Sequence, residues 1–196
     1  MNHQDILTKV DGQMLAEAFP TEYRSMTIIA GNLAADRLAL LQRTERFAVQ
    51  VQSQRVLIPA RLHFSPDRLV RTEADGVRWF VRALETRSNN GFERQRAARD
   101  LLMGFQPWAA PFILALVGEY VVEILHDISA SMTPHIEQAL SAFIVQNEAY
   151  WSTIKRRVAS YWNAYYRSNS RDKYVGFEIV DRLEMARSLA RNSRRK

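Results

Sequence analysis

Between residues 46 and 64 apolar and polar positions alternate with a period of two, whereas on either side the apolar residues recur every three to four positions. Phe47, Val49 and Val51 alternate with Ala48, Gln50 and Gln52; Val56, Ile58, Ala60, Leu62 and Phe64 alternate with Arg55, Leu57, Pro59, Arg61 and His63. A period of two puts one set of side chains on one face, so this stretch predicts a β-hairpin over about 46–64, turning near Ser53-Gln54. Pro59 has no amide proton to give to a ladder, so the second strand lies at an edge there or breaks. Two strands alone are marginal, and the apolar face needs helices or another chain to cover it.

The flanking pattern is helical. Residues 5–18 read as one amphipathic helix closed by Phe19-Pro20, and 21–41 as one or two more, interrupted at Gly31-Asn32. Downstream, Ser65-Pro66 is a helix start with a capping hydroxyl, and Asp75-Gly76 restarts the chain. Val77, Phe80, Val81 and Leu84 then share a face that ends at Asn89-Asn90-Gly91. A helix over about 92–103 turns Ala98, Leu101 and Leu102 inward and Arg94, Arg96 and Arg99 outward. After Gly104, residues 107–128 read as one core helix. Its apolar run stops at Glu119, short of the roughly 18–20 residues that cross a bilayer. Thr133-Pro134 repeats the capping signature, and Ile136, Leu140, Phe143, Tyr150, Ile154, Val158, Tyr161 and Tyr165 keep helical spacing to about Arg167, predicting either one very long helix or a break. Residues 168–171 read as a linker, 181–190 as a last helix, and 191–196 offer little to bury. The expected fold is mostly α: a multi-helix, bundle-like domain over 1–167 carrying the small β-hairpin, then a basic extension over 168–196 with a short helix.

Composition narrows the chemistry. At 196 residues and 47% apolar content the chain can bury one sizeable core. It has no Cys, which excludes disulfides, thiolate nucleophiles and cysteine-based metal sites and fits a cytoplasmic compartment. The stretch from Met1 to Leu7 has no basic region followed by an apolar one, so no secretory leader is expected. Net charge is +6 and unevenly placed: residues 151–196 hold 12 Lys or Arg against 4 Asp or Glu, residues 1–150 hold 15 against 17. That excess points to an anionic partner for the last quarter of the chain.

Two clusters carry candidate chemistry. On a single 107–128 helix Glu119, Glu123 and His126 would fall on one face, and Glu-x-x-His is half of a bundle-core iron or manganese site. The chain has no second Glu-x-x-His; further donors would have to be His135, Glu137 or Glu148. The plainer accounts make Glu119, Glu123, His126 and Asp127 a narrow solvent face, or pair the carboxylates with Arg96 or Arg99. The second cluster is the basic aromatic stretch 150–167. Trp151, Lys155 and Trp162 lie within about 40° of one another on a helix, beside Arg156, Arg157 and Arg167.

The chain shows no nucleophile elbow, phosphate-binding glycine loop, dinucleotide fingerprint or His-Glu-x-x-His, so neither catalysis nor a cofactor is implied. The expectation is a non-catalytic binding protein, a homo-oligomer or one with a protein partner, engaged through Trp151, Lys155, Arg156, Arg157, Trp162 and Arg167. The alternative is DNA or RNA binding by the same surface, and the third reading is a metal-dependent enzyme built on Glu119, Glu123 and His126. Whether Trp151 and Trp162 stand exposed beside the cations or pack against another helix separates the first two.

Overall fold

The period-two stretch does form a hairpin. In the computed structural model, which describes residues 7–43, 45–65, 75–168 and 170–193, strand β3 (Arg46–Val51) pairs antiparallel with β4 (Gln54–Pro59), from Val51 opposite Gln54 to Arg46 opposite Pro59. The loop is Gln52-Ser53, both at positive φ, as a tight two-residue hairpin requires. Val49, Val51, Val56 and Ile58 are buried. The ladder ends at Pro59, and beyond it Leu62 and Phe64 make isolated bridges to Ser88 and Leu38, so the second strand is shorter than the alternation predicts.

The chain is mostly helical and divides into two compact units, 1–101 and 102–196. The first contains, besides the hairpin, β1 (Leu7–Thr8) paired with β2 (Gln42–Arg43), and the helices α1 (Gly12–Ala16), α2 (Arg24–Ala35), α3 (Asp75–Glu85) and nearly all of α4 (Gly91–Met103). Helix α1 is far shorter than the 5–18 helix the sequence predicts. Asp11 caps it through Met14 N (2.8 Å), and the residues before it, from Leu7, are drawn into a strand pair; residues 5 and 6 lie outside those described. Gly31 does not interrupt α2. A Cβ on Gly31 would collide with the backbone of Gly12, and one on Gly12 with Asn32, so the two glycines allow α1 and α2 to cross at backbone contact. The Ser65-Pro66 start falls on residues partly outside those described.

What organises this unit is a buried polar segment at the end of α3. Glu85, Thr86, Arg87 and Ser88 are all buried, with Glu85 at 0% exposure. The Glu85 carboxylate accepts from Arg37 on one oxygen and Arg82 on the other. Arg37 also reaches Glu93, whose second oxygen takes the Ser88 hydroxyl (2.5 Å), and Arg82 Nε donates to Asp100 (2.9 Å). Arg87 donates to the carbonyls of Pro59 (3.2 Å) and Ala60 (2.7 Å), tying α3 to the end of the hairpin. Arg94, expected on the outer circumference of α4, is buried instead and donates to the carbonyls of Ser88 (2.8 Å) and Asn89 (3.2 Å). Asn90 starts α4 by accepting from Phe92 N (3.0 Å).

In the second unit α5 (Ala110–Val117), every residue of which is buried, packs against α6 (Val122–Ala130), α7 (Pro134–Gln146) and α8 (Glu148–Tyr161), and α9 (Val175–Ser193) packs on those three. The single helix expected over 107–128 is thus two, parted at residues 118–121. Glu119 N closes the last turn of α5 onto Leu116 O (3.1 Å), and the chain then turns so that Glu119 is buried and Tyr120 exposed. Gly118 sits under α8, where a Cβ would press on Ile154 (3.2 Å).

The long helix after Thr133 also breaks, at Asn147, whose side-chain amide donates back to Phe143 O (2.9 Å) and satisfies the end of α7. Thr133 caps α7 as expected, accepting from Ile136 N (3.3 Å). Helix α8 passes into a π-helical turn, Trp162–Tyr166, and α9 begins at Val175, ahead of the expected 181, burying Val175, Ile179, Val180 and Leu183 against α6 and α7. The division into compact units falls between residues 101 and 102, and the expected basic extension from 168 lies within the second unit; residues 194–196 lie outside those described. Among the described residues no helix is long and apolar enough to cross a membrane.

Two expected outcomes follow from the first unit. Gly31→Ala forces α1 and α2 apart and lowers stability by about 1–3 kcal/mol, measured by urea unfolding. Glu85→Ala strips both Arg37 and Arg82 of a buried acceptor and costs about 3–5 kcal/mol in the same assay, whereas Arg96→Ala on the exposed side of α4 stays within about 0.5 kcal/mol of the parent.

Candidate binding surface

Helix α8 has two unlike sides. Trp151, Ile154 and Val158 point inward, and Trp151 is only 1% exposed. Its indole Nε1 donates to Glu184 Oε1 (2.8 Å) on α9, the oxygen that also accepts from Lys155 Nζ (2.6 Å). Arg187 donates to Glu184 Oε2 (3.1 Å) and to Glu148 (2.5 Å). Two of the expected partner-binding residues, Trp151 and Lys155, are thus built into the seam between α8 and α9. A tryptophan in that position cannot stack on a base. Trp162 is half-buried and packs edge-on against Phe177 (5.8 Å, 69°), over whose ring the Arg171 guanidinium lies at 4.4 Å. Arg156 is exposed and reaches Thr153 (3.0 Å), Arg167 is exposed, and Arg157 is half-buried beside Gly118.

The ion pairs across these helices also change the charge picture. Lys155, Arg182 and Arg187 are answered by Glu184, Glu137 and Glu148, and two of those acids lie before residue 151. Over residues 102–196 there are 12 Lys or Arg against 9 Asp or Glu, a net of +3. The +8 of the last quarter leaves out Glu137 and Glu148, which face its cations from earlier in the chain.

The outward side of the α8 end is tyrosine. Tyr120, freed by the break after α5, packs on Tyr161 (5.8 Å) and Tyr165 (6.0 Å), and those two stack on each other at 6.2 Å and 23°. Tyr120 is 50% exposed and Tyr165 65%. The wide turn 162–166 sets consecutive tyrosines to different work. Tyr165 faces solvent, while Tyr166 stacks on Tyr174 (5.1 Å, 24°) and donates from its hydroxyl to Tyr120 O (2.9 Å). Burial, then the charge of Glu123, raises the Tyr166 pKa; burial and the neighbouring Tyr166 push Tyr174 up to about 12. Both phenols therefore stay protonated at neutral pH.

The carboxylate and histidine set does not come together. Glu119 is buried at the break after α5, whereas Glu123 and His126 are exposed on α6, so the shared helical face assumed for the three does not exist. The further donors are engaged elsewhere: His135 packs edge-on to Phe105 (6.1 Å), Glu137 accepts from Arg182 (2.9 Å), and Glu148 accepts from Arg187. Among the described residues no group of three His, Asp or Glu side chains is placed to hold a metal ion. The chain matches no protein-family model, no curated protein sequence and no solved structure.

Tyr120 was missed in the sequence because a helix drawn through 107–128 hides it among core positions, and Tyr165 because helical spacing counted it as core. The available signal was the density of tyrosine at 161, 165 and 166, more hydroxyls than a core readily satisfies.

The seam has a pH signature. Burial alone would raise the Glu184 pKa, but hydrogen bonds from Lys155 and Trp151, the Lys155 charge and the Arg187 hydrogen bond outweigh it and hold the carboxyl below its ordinary value. A carboxylate with a depressed folded-state pKa adds stability that is complete above its unfolded pKa and lost as pH falls through the folded one. The stability gap between the parent and Glu184→Gln is therefore expected to be constant near neutrality and to close below about pH 4, read from urea unfolding across a pH series.

Proposed function

We propose that this is a non-catalytic binding protein in which the 102–196 unit presents the tyrosine face of Tyr120, Tyr161 and Tyr165 to a protein partner, together with the exposed Arg156 and Arg167. The observation that carries this reading is the packing of three tyrosines on one another at the surface with two of them at least half exposed. A preassembled aromatic group loses little conformational freedom on binding, and tyrosine and arginine are enriched where protein interfaces concentrate their energy. The seam between α8 and α9 supports the face from behind, since Trp151 and Glu184 hold α8 against α9. A cytoplasmic setting fits the cysteine-free chain.

The test is a photo-crosslinking residue placed at Tyr165 and, as a control, at the exposed Gln138 of α7, in cells that naturally make the protein, with adducts identified by mass spectrometry. The expected outcome is a defined protein adduct at 165 that is absent at 138. With that partner purified, Tyr165→Ala or Tyr120→Ala should weaken binding about tenfold or more, the size of an interface hot spot. Arg156→Glu should weaken it far more at about 0.1 M than at about 1 M salt. Identical adducts at both positions overturn the assignment, and nucleic acid crosslinked at 165 replaces it with DNA or RNA binding.

A further inference from the structure

The chain holds a single Asn-Gly step, Asn90-Gly91, and it falls where α4 begins. Asn89 and Asn90 are exposed and Gly91 is half-buried. The Gly91 amide proton meets no acceptor among the described residues, as the first turn of a helix leaves it. Gly91 also has no Cβ to keep its nitrogen away from the carboxamide before it. That carboxamide is held in place: Asn90 Oδ1 accepts from Phe92 N (3.0 Å) and Glu93 N (3.4 Å), while Asn90 N donates to Ser88 Oγ (3.1 Å).

We propose that Asn90-Gly91 is a self-modification site, at which the Gly91 nitrogen attacks the Asn90 side chain whenever the cap opens, and that one of its two products unfastens α4 from the Glu85 network. The Gly91 nitrogen gives up its proton and bonds to Asn90 Cγ; the Cγ–Nδ2 bond breaks, and Nδ2 leaves with that proton as ammonia. Water then opens the cyclic imide at one carbonyl or the other, giving aspartate or isoaspartate. The gate is the first turn of α4, a place where helices open at little cost. Its opening sets the rate, so the folded chain converts more slowly than the unfolded one.

The two products leave different caps. Aspartate keeps an acceptor for Phe92 N and Glu93 N and adds a negative charge where the helix dipole favours one. Isoaspartate sends the main chain through Cβ and Cγ, which lengthens it by one atom and turns the former Asn90 carbonyl into a side group. That carbonyl accepts from Arg94 N (3.0 Å), so the first helical bond of α4 is displaced together with the cap. Glu93 sits in the same turn, and its carboxylate takes Ser88 (2.5 Å) and Arg37, the arginine that also holds Glu85. A shift of this turn therefore reaches the buried network.

The test is incubation of the full chain at mildly alkaline pH, folded and in urea, then cleavage at arginine and mass spectrometry of the fragment 88–94. The expected result is a gain of one mass unit at Asn90 and none at Asn89, slower in the folded chain than in urea, with one heavy oxygen taken up from labelled water. Isoaspartyl methyltransferase is the probe for the isomer and is expected to label the converted fragment. Gly91 has no positive φ, so Gly91→Ala suits the backbone and is expected to slow conversion several-fold in both states. Once separated, the isoaspartate chain is expected to unfold at lower urea than the parent, whereas Asn90→Asp unfolds at the parent's midpoint or above it. A folded chain that stays unconverted while the urea sample converts, equal rates in the two states, Gly91→Ala converting as fast as the parent, or an isoaspartate chain as stable as the parent each overturn the proposal.

Discussion

A carboxylate with no exposure to water holds the first unit together. Glu85 ends α3 with one oxygen on Arg37 and the other on Arg82, and through those two arginines it is linked to Glu93 and Asp100 of α4. Burying that charge is tolerable only because each oxygen is answered by a cation, and each cation by a second acid. The consequence is geometric. Arg37 lies just beyond α2, so α2, α3 and α4 must take up one mutual arrangement for the network to close. The rest of the unit is hung from the same place: Arg87 holds the hairpin's last carbonyls, and the backbone of Arg87 and Asn89 pairs with that of Leu62.

The second unit repeats the device in weaker form. Its core is the wholly apolar α5, which needs no polar arrangement to be buried. Specificity enters at the α8–α9 seam, where Glu184 receives Trp151, Lys155 and Arg187 at once. One acid gathering several donors from different turns fixes how two helices slide past one another, which apolar packing alone leaves loosely determined.

What was legible in the sequence and what was not follow from the same physics. The hairpin was legible because a period of two admits no helical account, α3 because Val77, Phe80, Val81 and Leu84 keep helical spacing, and α7 because apolar spacing and the Thr133 cap agree. The break at 118–121 was not, nor was the place, at Asn147, of the break that excess length allows after Thr133, because apolar spacing runs straight through both, and each depends on a partner distant in sequence or on a side chain folding back on its own helix. Gly31 misled in the opposite direction: a glycine that reads as an interruption is there because another backbone passes against it. Glu85, Arg87 and Arg94 were invisible as buried groups, since only the fold shows that a charged residue has found its counter-charges. The same holds for the charge excess of the last quarter, which looked like a surface until Glu137 and Glu148 were seen across from it. Of the candidate site residues, Arg156 and Arg167 stand exposed, Trp162 and Arg157 are half-buried, Trp151 and Lys155 serve the seam, and Tyr120 and Tyr165 became apparent only with the fold.

The hairpin loop has a bearing on the order in which the molecule assembles. Gln52 and Ser53 both sit at positive φ, a conformation that costs an L residue with a Cβ roughly 1–2 kcal/mol and is usually given to Asn-Gly. A loop of that composition does not nucleate its own strands. The pairing is held from outside, by the Glu17 carbonyl on Leu57 N (2.9 Å) and by Thr21, whose amide and hydroxyl both donate to Gln54 (2.8 and 2.9 Å). The one element most easily read from the sequence is therefore among the least able to form by itself: its turn is a follower that closes once the chain around α1 is in position.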